Sequence, residues 1–193
     1  MGEHPFIAAC REGDIEQVRK YTSQEHFDLN ARLNAGRFRF KTTGLHAAAE
    51  NDHPEVLRIL IVAGSRIENV VRGFTALCRA AAKNHLESAK VLIEFGARVN
   101  TEYCVPLYHA SFGGHHEMVR LLLSHGADPQ LKHPFIFWKE SPIFAAKEQR
   151  FFKPYKLRAY NKTIHVLRHA APLKDDTEVT PLLLEKSTPL PQK

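Results

Sequence analysis

The sequence predicts an all-α solenoid of about five helix-turn-helix repeats, closed by a C-terminal half repeat, with hairpin-like fingers between units. Three observations carry this expectation. First, one segment recurs: TGLHAAAENDHPEVLRILIVAGSRIE from Thr43, TALCRAAAKNHLESAKVLIEFGARVN from Thr75, and VPLYHASFGGHHEMVRLLLSHGADPQ from Val105. Leu45, Leu77 and Leu107 align at spacings of 32 and 30 residues, and so do His53, His85 and His115. Second, small and apolar residues alternate by helix. Ala48, Ala49, Ala80, Ala81, Ala82 and Ala110 allow close packing of each first helix, while Val56, Ile59 and Leu60, then Val91, Leu92 and Ile93, then Val119, Leu121, Leu122 and Leu123 stripe each second helix. Third, Gly64, Gly96 and Gly126 stand where each second helix must stop and turn with positive φ. One such pair cannot bury its apolar face alone, but a stack can.

The three copies resemble the ankyrin repeat, whose signature is T-P-L-H-x-A and whose unit is about 33 residues. Weaker copies flank them. HPFIAACREGDIEQV opens an N-terminal copy that lacks the closing glycine, and SPIFAAK opens a fifth that closes on Ala170. TPLLLEKS reads as a capping half repeat. The expected layout is one domain over 1–187, with copies near 4–40, 43–74, 75–104, 105–140 and 141–172, a half repeat over 180–187 and a loose tail over 188–193.

Composition narrows the function classes. The chain is 44% hydrophobic, which supplies one core without a second domain. Its net charge of +6 belongs to one segment. Residues 132–162 carry Lys132, Lys139, Lys147, Arg150, Lys153, Lys156, Arg158 and Lys162 against Glu140 and Glu148, and basic and acidic residues balance elsewhere. Early charges such as Arg11 and Asp14 oppose a signal peptide, and no stretch is long and apolar enough to span a membrane. Cys10, Cys78 and Cys104 suggest neither a disulfide framework nor a zinc pattern. The expected compartment is therefore cytoplasmic, with delivery into a host cell as an effector left open.

Departures from the repeat mark candidate sites. Gly44 to Gly64, Ala76 to Gly96 and Pro106 to Gly126 each span 20 positions, whereas Pro142 to Ala170 spans 28. The eight added residues fall near Arg150–Leu157, between the helices of the fifth copy. The first and fourth fingers are long. One reads Arg37-Phe38-Arg39-Phe40-Lys41, a period-two strand pattern, and the other Phe135-Ile136-Phe137-Trp138-Lys139. As prongs they would stand on the order of 30 Å apart across a concave surface. Folding back onto the stack is the alternative for their rings, and burial in a small local core is the alternative for Phe151, Phe152 and Tyr155.

The resemblance implies binding through first-helix positions and finger tips. The candidate residues are Arg37, Phe38, Arg39, Phe40, Glu50, Asn51, Arg72, Lys83, Asn84, Tyr103, Phe112, Phe135, Phe137, Trp138 and Lys139, with Gly113 beside Phe112. Aromatics beside cations fit a hot spot for another protein with an acidic or amphipathic surface. Nucleic acid or acidic lipid, met through 132–162, is the alternative. His165 and His169 have ligand spacing but no third ligand, so no metal site and no cofactor are assigned. No G-x-S-x-G, P-loop or GxGxxG element occurs, Cys10 and Cys78 read as core, and Cys104, in a finger, reads as open to solvent. A small enzyme built on the fifth-copy insertion would need a pocket near Arg150–Tyr160. The expected function is a non-catalytic protein-binding scaffold or adaptor.

Overall fold

The computed structural model describes residues 2–36, 41–101, 104–132 and 141–170. Ten α-helices and one short hairpin account for the regular structure among them. The helices fall into five consecutive pairs: α1 (Pro5–Glu12) with α2 (Ile15–Thr22), α3 (Gly44–Glu50) with α4 (Pro54–Val62), α5 (Ala76–Lys83) with α6 (Leu86–Glu94), α7 (Pro106–Gly113) with α8 (His116–Ser124), and α9 (Pro142–Phe152) with α10 (Leu157–Ala170). Odd-numbered helices pack on one another in one layer, and even-numbered helices form a second layer behind them. The odd layer packs more closely, which curves the array toward it.

Local sequence explains the helix starts. Thr43 and Thr75 are N-caps whose hydroxyls accept from the backbone N–H of His46 and Cys78, and Asp14 caps α2 by accepting from Gln17 at 3.0 Å. Pro5, Pro54, Pro106 and Pro142 sit in the first turns of their helices, where a missing N–H costs nothing. Ala48, Ala49, Ala80, Ala81 and Ala110 are fully buried, so the odd helices approach on methyl groups. Leu57, Leu60, Leu92 and Leu122 close the core between layers, each stabilising by roughly 1.5–3 kcal/mol. At the N-terminal end Phe6 meets Tyr21 and Phe27 edge to face and Tyr21 tilts against Phe27, with centroids 4.8–5.3 Å apart, an aromatic plug over the first pair.

Polar bonds stitch each pair to the next. The imidazole Nε2 of His53 donates to the Arg11 carbonyl at 2.7 Å, that of His85 to Glu50 at 3.0 Å, and that of His115 to Ala82 at 3.3 Å. The three acceptors occupy one repeat position, the seventh residue of each first helix. The fourth equivalent acceptor is Phe112, and Tyr160 of α10 donates its phenol to it at 3.2 Å. Gly114, in the left-handed region at φ 74°, leaves room for that ring, since a Cβ there would lie 2.9 Å from Tyr160 Cε1. At the other end of each unit, Asn30 accepts from the Arg66 N–H, Glu68 from Arg98 and Asn100 from Asp128, at 2.7–2.9 Å.

The fingers and the insertion take specific forms. The first finger is an antiparallel hairpin, β1 (Leu33–Asn34) on β2 (Lys41–Thr42), with Leu33 opposite Thr42. The period-two stretch at 37–40 lies outside the described residues. The second finger is a tight turn, Val71 bridging Phe74, with positive φ at Arg72 and Gly73 as a type I′ turn requires. The eight added residues of the fifth copy do not form a loop. They lengthen α9 to 11 residues and α10 to 14, with a single 3₁₀ turn at Pro154–Lys156 between them. Tyr155, on that turn, is 79% exposed and belongs to no local core. The side chains of Phe151 and Phe152, the half repeat at 180–187 and the tail lie outside the described residues.

His46 links the turn chemistry to stability. Its Nε2 donates to the Phe74 carbonyl of the next finger at 3.0 Å, which leaves Nδ1 to accept from the Thr43 hydroxyl at 2.8 Å. Only the neutral ring can do both. Burial lowers its pKa from 6.5 to about 4. The unfolded chain therefore takes up a proton that the folded chain refuses. This stability is fully present above about pH 6.5 and is lost as pH falls toward 4. Urea unfolding at pH 7.5 and pH 5 is expected to differ by about 2 kcal/mol from this residue. H46N is expected to be less stable at pH 7.5 yet flatter across that window, and an unchanged slope in H46N would contradict the assignment.

Candidate partner-binding surface

The concave face is built from the outward positions of the odd helices and the bases of the fingers. A continuous strip of charge and ring contacts crosses it. Glu50 pairs with the Arg79 guanidinium at 3.0 Å. Arg79 in turn lies 5.3 Å over the Phe74 ring, and Phe74 packs on His109 at 5.1 Å. His109 meets Tyr108 edge-on at 5.5 Å, and Tyr108 stacks on Phe112 at 6.2 Å. Lys153, from the end of α9, places its ammonium 5.5 Å over Phe112. The strip thus runs from the second repeat to the fifth. Glu50 with Arg79, Phe74 with His109, and Phe112 with Lys153 are contacts between units, whereas His109, Tyr108 and Phe112 meet along α7 itself.

Beside the strip lies an open hollow of about 340 Å³ between α1, α3, α5 and the first two fingers. Lys41, Glu50, Asn51, Arg72, Arg79 and Lys83 line it, with Glu3 and Arg11 at its N-terminal edge. Glu3 holds Arg11 at 2.8 Å, so the outer edge is neutralised. Lys41, Arg72 and Lys83 are exposed and add further positive charge.

Of the sequence-derived candidates, Glu50, Asn51, Arg72 and Lys83 come together around this hollow. Asn84 ends α5 in the left-handed region at φ 64°, which a turn accounts for, and it is exposed beside Lys83. Phe112 is 39% exposed at the far end of the strip, next to Gly113. Arg37, Phe38, Arg39, Phe40, Tyr103, Phe135, Phe137, Trp138 and Lys139 lie outside the described residues. Sequence reasoning passed over Arg79, Phe74, His109 and Tyr108. All but Phe74 sit on first helices, four or fewer residues from predicted positions, and that spacing on a helix was the available signal.

The basic segment divides in two. Lys153 faces the concave strip, whereas Arg158 and Lys162 face α8 on the outer layer. The 3₁₀ turn at Pro154–Lys156, where the chain passes from α9 to α10, separates them.

The cysteines require a correction. Cys104 is fully buried and bonded to Cys78, with Cα atoms 6.4 Å apart. The expectations of an exposed Cys104 and of no disulfide both fail. Twenty-six residues separate the pair, and only repeat stacking brings the base of the third finger onto the start of α5. Thr101 donates its hydroxyl to the Cys104 carbonyl, which further ties down the finger base on that side.

These helix pairs, their stitching and their finger bases define a class. The family model described as "Ankyrin repeats (3 copies)" matches residues 6–103 and 45–133, about two thirds of the chain, and the chain belongs to the ankyrin-repeat family. A protein of Oryza sativa subsp. japonica named "Probable E3 ubiquitin-protein ligase XBOS32" is 28% identical over 93% of this chain and 37% of its own length. "Ankyrin repeat and SOCS box protein 3" of Bos taurus is 33% identical over 72% of this chain and 33% of its own. "Ankyrin repeat-containing protein ITN1" of Arabidopsis thaliana is 27% identical over 62% of this chain and 18% of its own. The chain thus spans little more than a third of the length of these curated relatives at most. Ankyrin arrays are generally protein-interaction scaffolds. No helix among the described residues is long and apolar enough to cross a membrane.

Thiol counting checks the cysteine arrangement. Cys10 is buried, and burial pushes its thiol up to about 12, so little thiolate is available to react. The folded, unreduced protein is expected to give no rapid reaction with a thiol reagent. Unfolding in denaturant should release one thiol, and unfolding with reductant three. Three thiols without reductant would contradict the Cys78–Cys104 bond.

Proposed function

We propose that the chain is a non-catalytic protein-binding scaffold or adaptor whose partner seats on the concave face. The observation that carries this reading is the Glu50-to-Lys153 strip. It sets the partly exposed rings of Phe74, His109 and Phe112 among cations on the side of the stack that curves inward, and contacts between repeats and along α7 fix its members. Pre-ordered side chains lose little freedom on binding, which favours affinity. The exposed Lys41 and Lys83 favour a partner with an acidic or amphipathic surface and speed its approach. The finger residues Arg37 to Phe40, Tyr103, Phe135, Phe137, Trp138 and Lys139 are proposed to extend that contact at either end.

The alternative, an anionic surface met along 132–162 as one unit, receives less support. Of its cations, Lys153 lies on the concave strip, whereas Arg158 and Lys162 line the outer layer. The cysteine argument for a cytoplasmic setting falls with the Cys78–Cys104 bond, so the proposal rests on surface chemistry and not on compartment.

Affinity purification from cell extract tests the reading, with the double variant Phe112→Ala/Lys83→Glu beside the unaltered chain. Both residues are at the surface, so helical circular dichroism should be unchanged. Proteins recovered by the unaltered chain are expected to bind the variant at least tenfold more weakly, about 1.4 kcal/mol or more. Recovery of the same proteins in equal amounts by both forms would place the contact elsewhere.

A further inference from the structure

A second hollow lies on the outer layer, away from the concave face. It is an open pocket of about 690 Å³ between α8 and α10, lined by His116, Glu117, Arg120, Leu157, Arg158 and Lys162, with Asn161 and His165 at its edge. Three permanent cations converge there from two helices. The single carboxylate, Glu117, is 3.2 Å from the His116 ring. Arg120, Arg158 and Lys162 have no salt-bridge partner among the described residues.

The middle of the outer layer is different. On α4 and α6, Arg58 pairs with Glu94 at 3.0 Å and with Glu55 at 3.8 Å, and Lys90 pairs with Glu87 at 2.7 Å. Positive charge there is neutralised within the layer. Arg19 and Lys20 on α2 also have no salt-bridge partner among the described residues. Unpaired charge therefore lies at two separate places, with α4 and α6 neutralised between them, and does not run along the stack as a polymer track would need.

Helix polarity sharpens the point. Arg158 lies in the first turn of α10, which holds no acidic residue. A cation at that end opposes the helix dipole and lowers stability. An anion in the hollow would reverse the sign, satisfied by the guanidinium groups and by the positive end of the helix together. His165 and His169 bring their Nε2 atoms within 3.1 Å, a spacing that suits a metal ion, but α10 carries Arg158, Lys162 and Arg168 and no carboxylate, a field that repels cations.

We propose that the hollow between α8 and α10 binds a compact phosphate-bearing anion, held by Arg120, Arg158 and Lys162. Bidentate guanidinium contacts suit phosphate oxygens, and Lys162 supplies a point charge. The size of the hollow matches a small molecule or a single headgroup. Binding here is independent of the concave face, so the site survives or fails apart from the scaffold reading.

Calorimetric titration of the full chain with sodium pyrophosphate tests the proposal. Saturable binding at one site is expected, weakened at least tenfold by Arg120→Gln/Arg158→Gln and unchanged by Lys90→Gln, a control on the neutralised part of the layer. Circular dichroism confirms that each variant is folded. Cosedimentation with phosphatidylcholine vesicles containing phosphatidic acid, lost in the same double variant, would support the site with a lipid headgroup as its source. Pyrophosphate binding without cosedimentation would support it with a soluble source. Non-saturable uptake, equal loss in Lys90→Gln, no loss in the double variant, or binding of a single-stranded oligonucleotide without binding of pyrophosphate would overturn it.

Discussion

The carbonyl at the seventh position of each first helix is the constraint on which the array depends. Helix ends leave carbonyl groups without intrahelical partners, and a stack buries them beside the next unit. Here Arg11, Glu50, Ala82 and Phe112 each present that group, and the following repeat answers with His53, His85, His115 or Tyr160. The bond sets the height and rotation of one pair on the next. It asks for a donor that stays protonated where it counts. Burial lowers the His115 pKa and raises that of Tyr160, so the one remains a neutral imidazole that keeps a ring N–H and the other a neutral phenol.

Position in the stack then decides what each layer can do. Close approach of alanine-lined helices curves the array and exposes the next residues outward on the inner face, where Arg79, His109 and Phe112 link across units. The outer layer of second helices carries charges of its own. Those of α4 and α6 are balanced in place by pairs such as Arg58 with Glu94, whereas the α8–α10 hollow gathers three cations without salt-bridge partners among the described residues. The two faces therefore present different chemistry from one scaffold: rings with cations on one side, convergent cations on the other.

Much of the architecture was legible in the residues themselves. Repeated leucines, histidines and glycines give the helix pairs because their spacing is local and self-confirming. Glu50, Asn51 and Lys83 are expected on the inner face from their first-helix positions together with the resemblance to the ankyrin repeat. What escaped was anything decided by stacking. Cys78 and Cys104 meet only because a finger base folds onto the preceding helix, and no spacing rule marks a lone pair. Tyr160 is hidden because the insertion moves the donor out of register, while a longer side chain reaches the same carbonyl. The insertion itself reads as a loop by length, yet lengthened helices absorb it, since RFFKPYKL contains one proline and otherwise residues that a helix accepts.

Native-state hydrogen exchange on the unaltered chain and His85→Ala tests the central claim most directly. If the carbonyl bond couples neighbouring units into one cooperative stack, removing the His85 ring should lower protection of amides in α3 and α7 by the same free energy as in α5 and α6, about 1 kcal/mol. A loss confined to α5 and α6, with α3 and α7 unchanged, would contradict it, and the repeats would then be units that stack without depending on that bond.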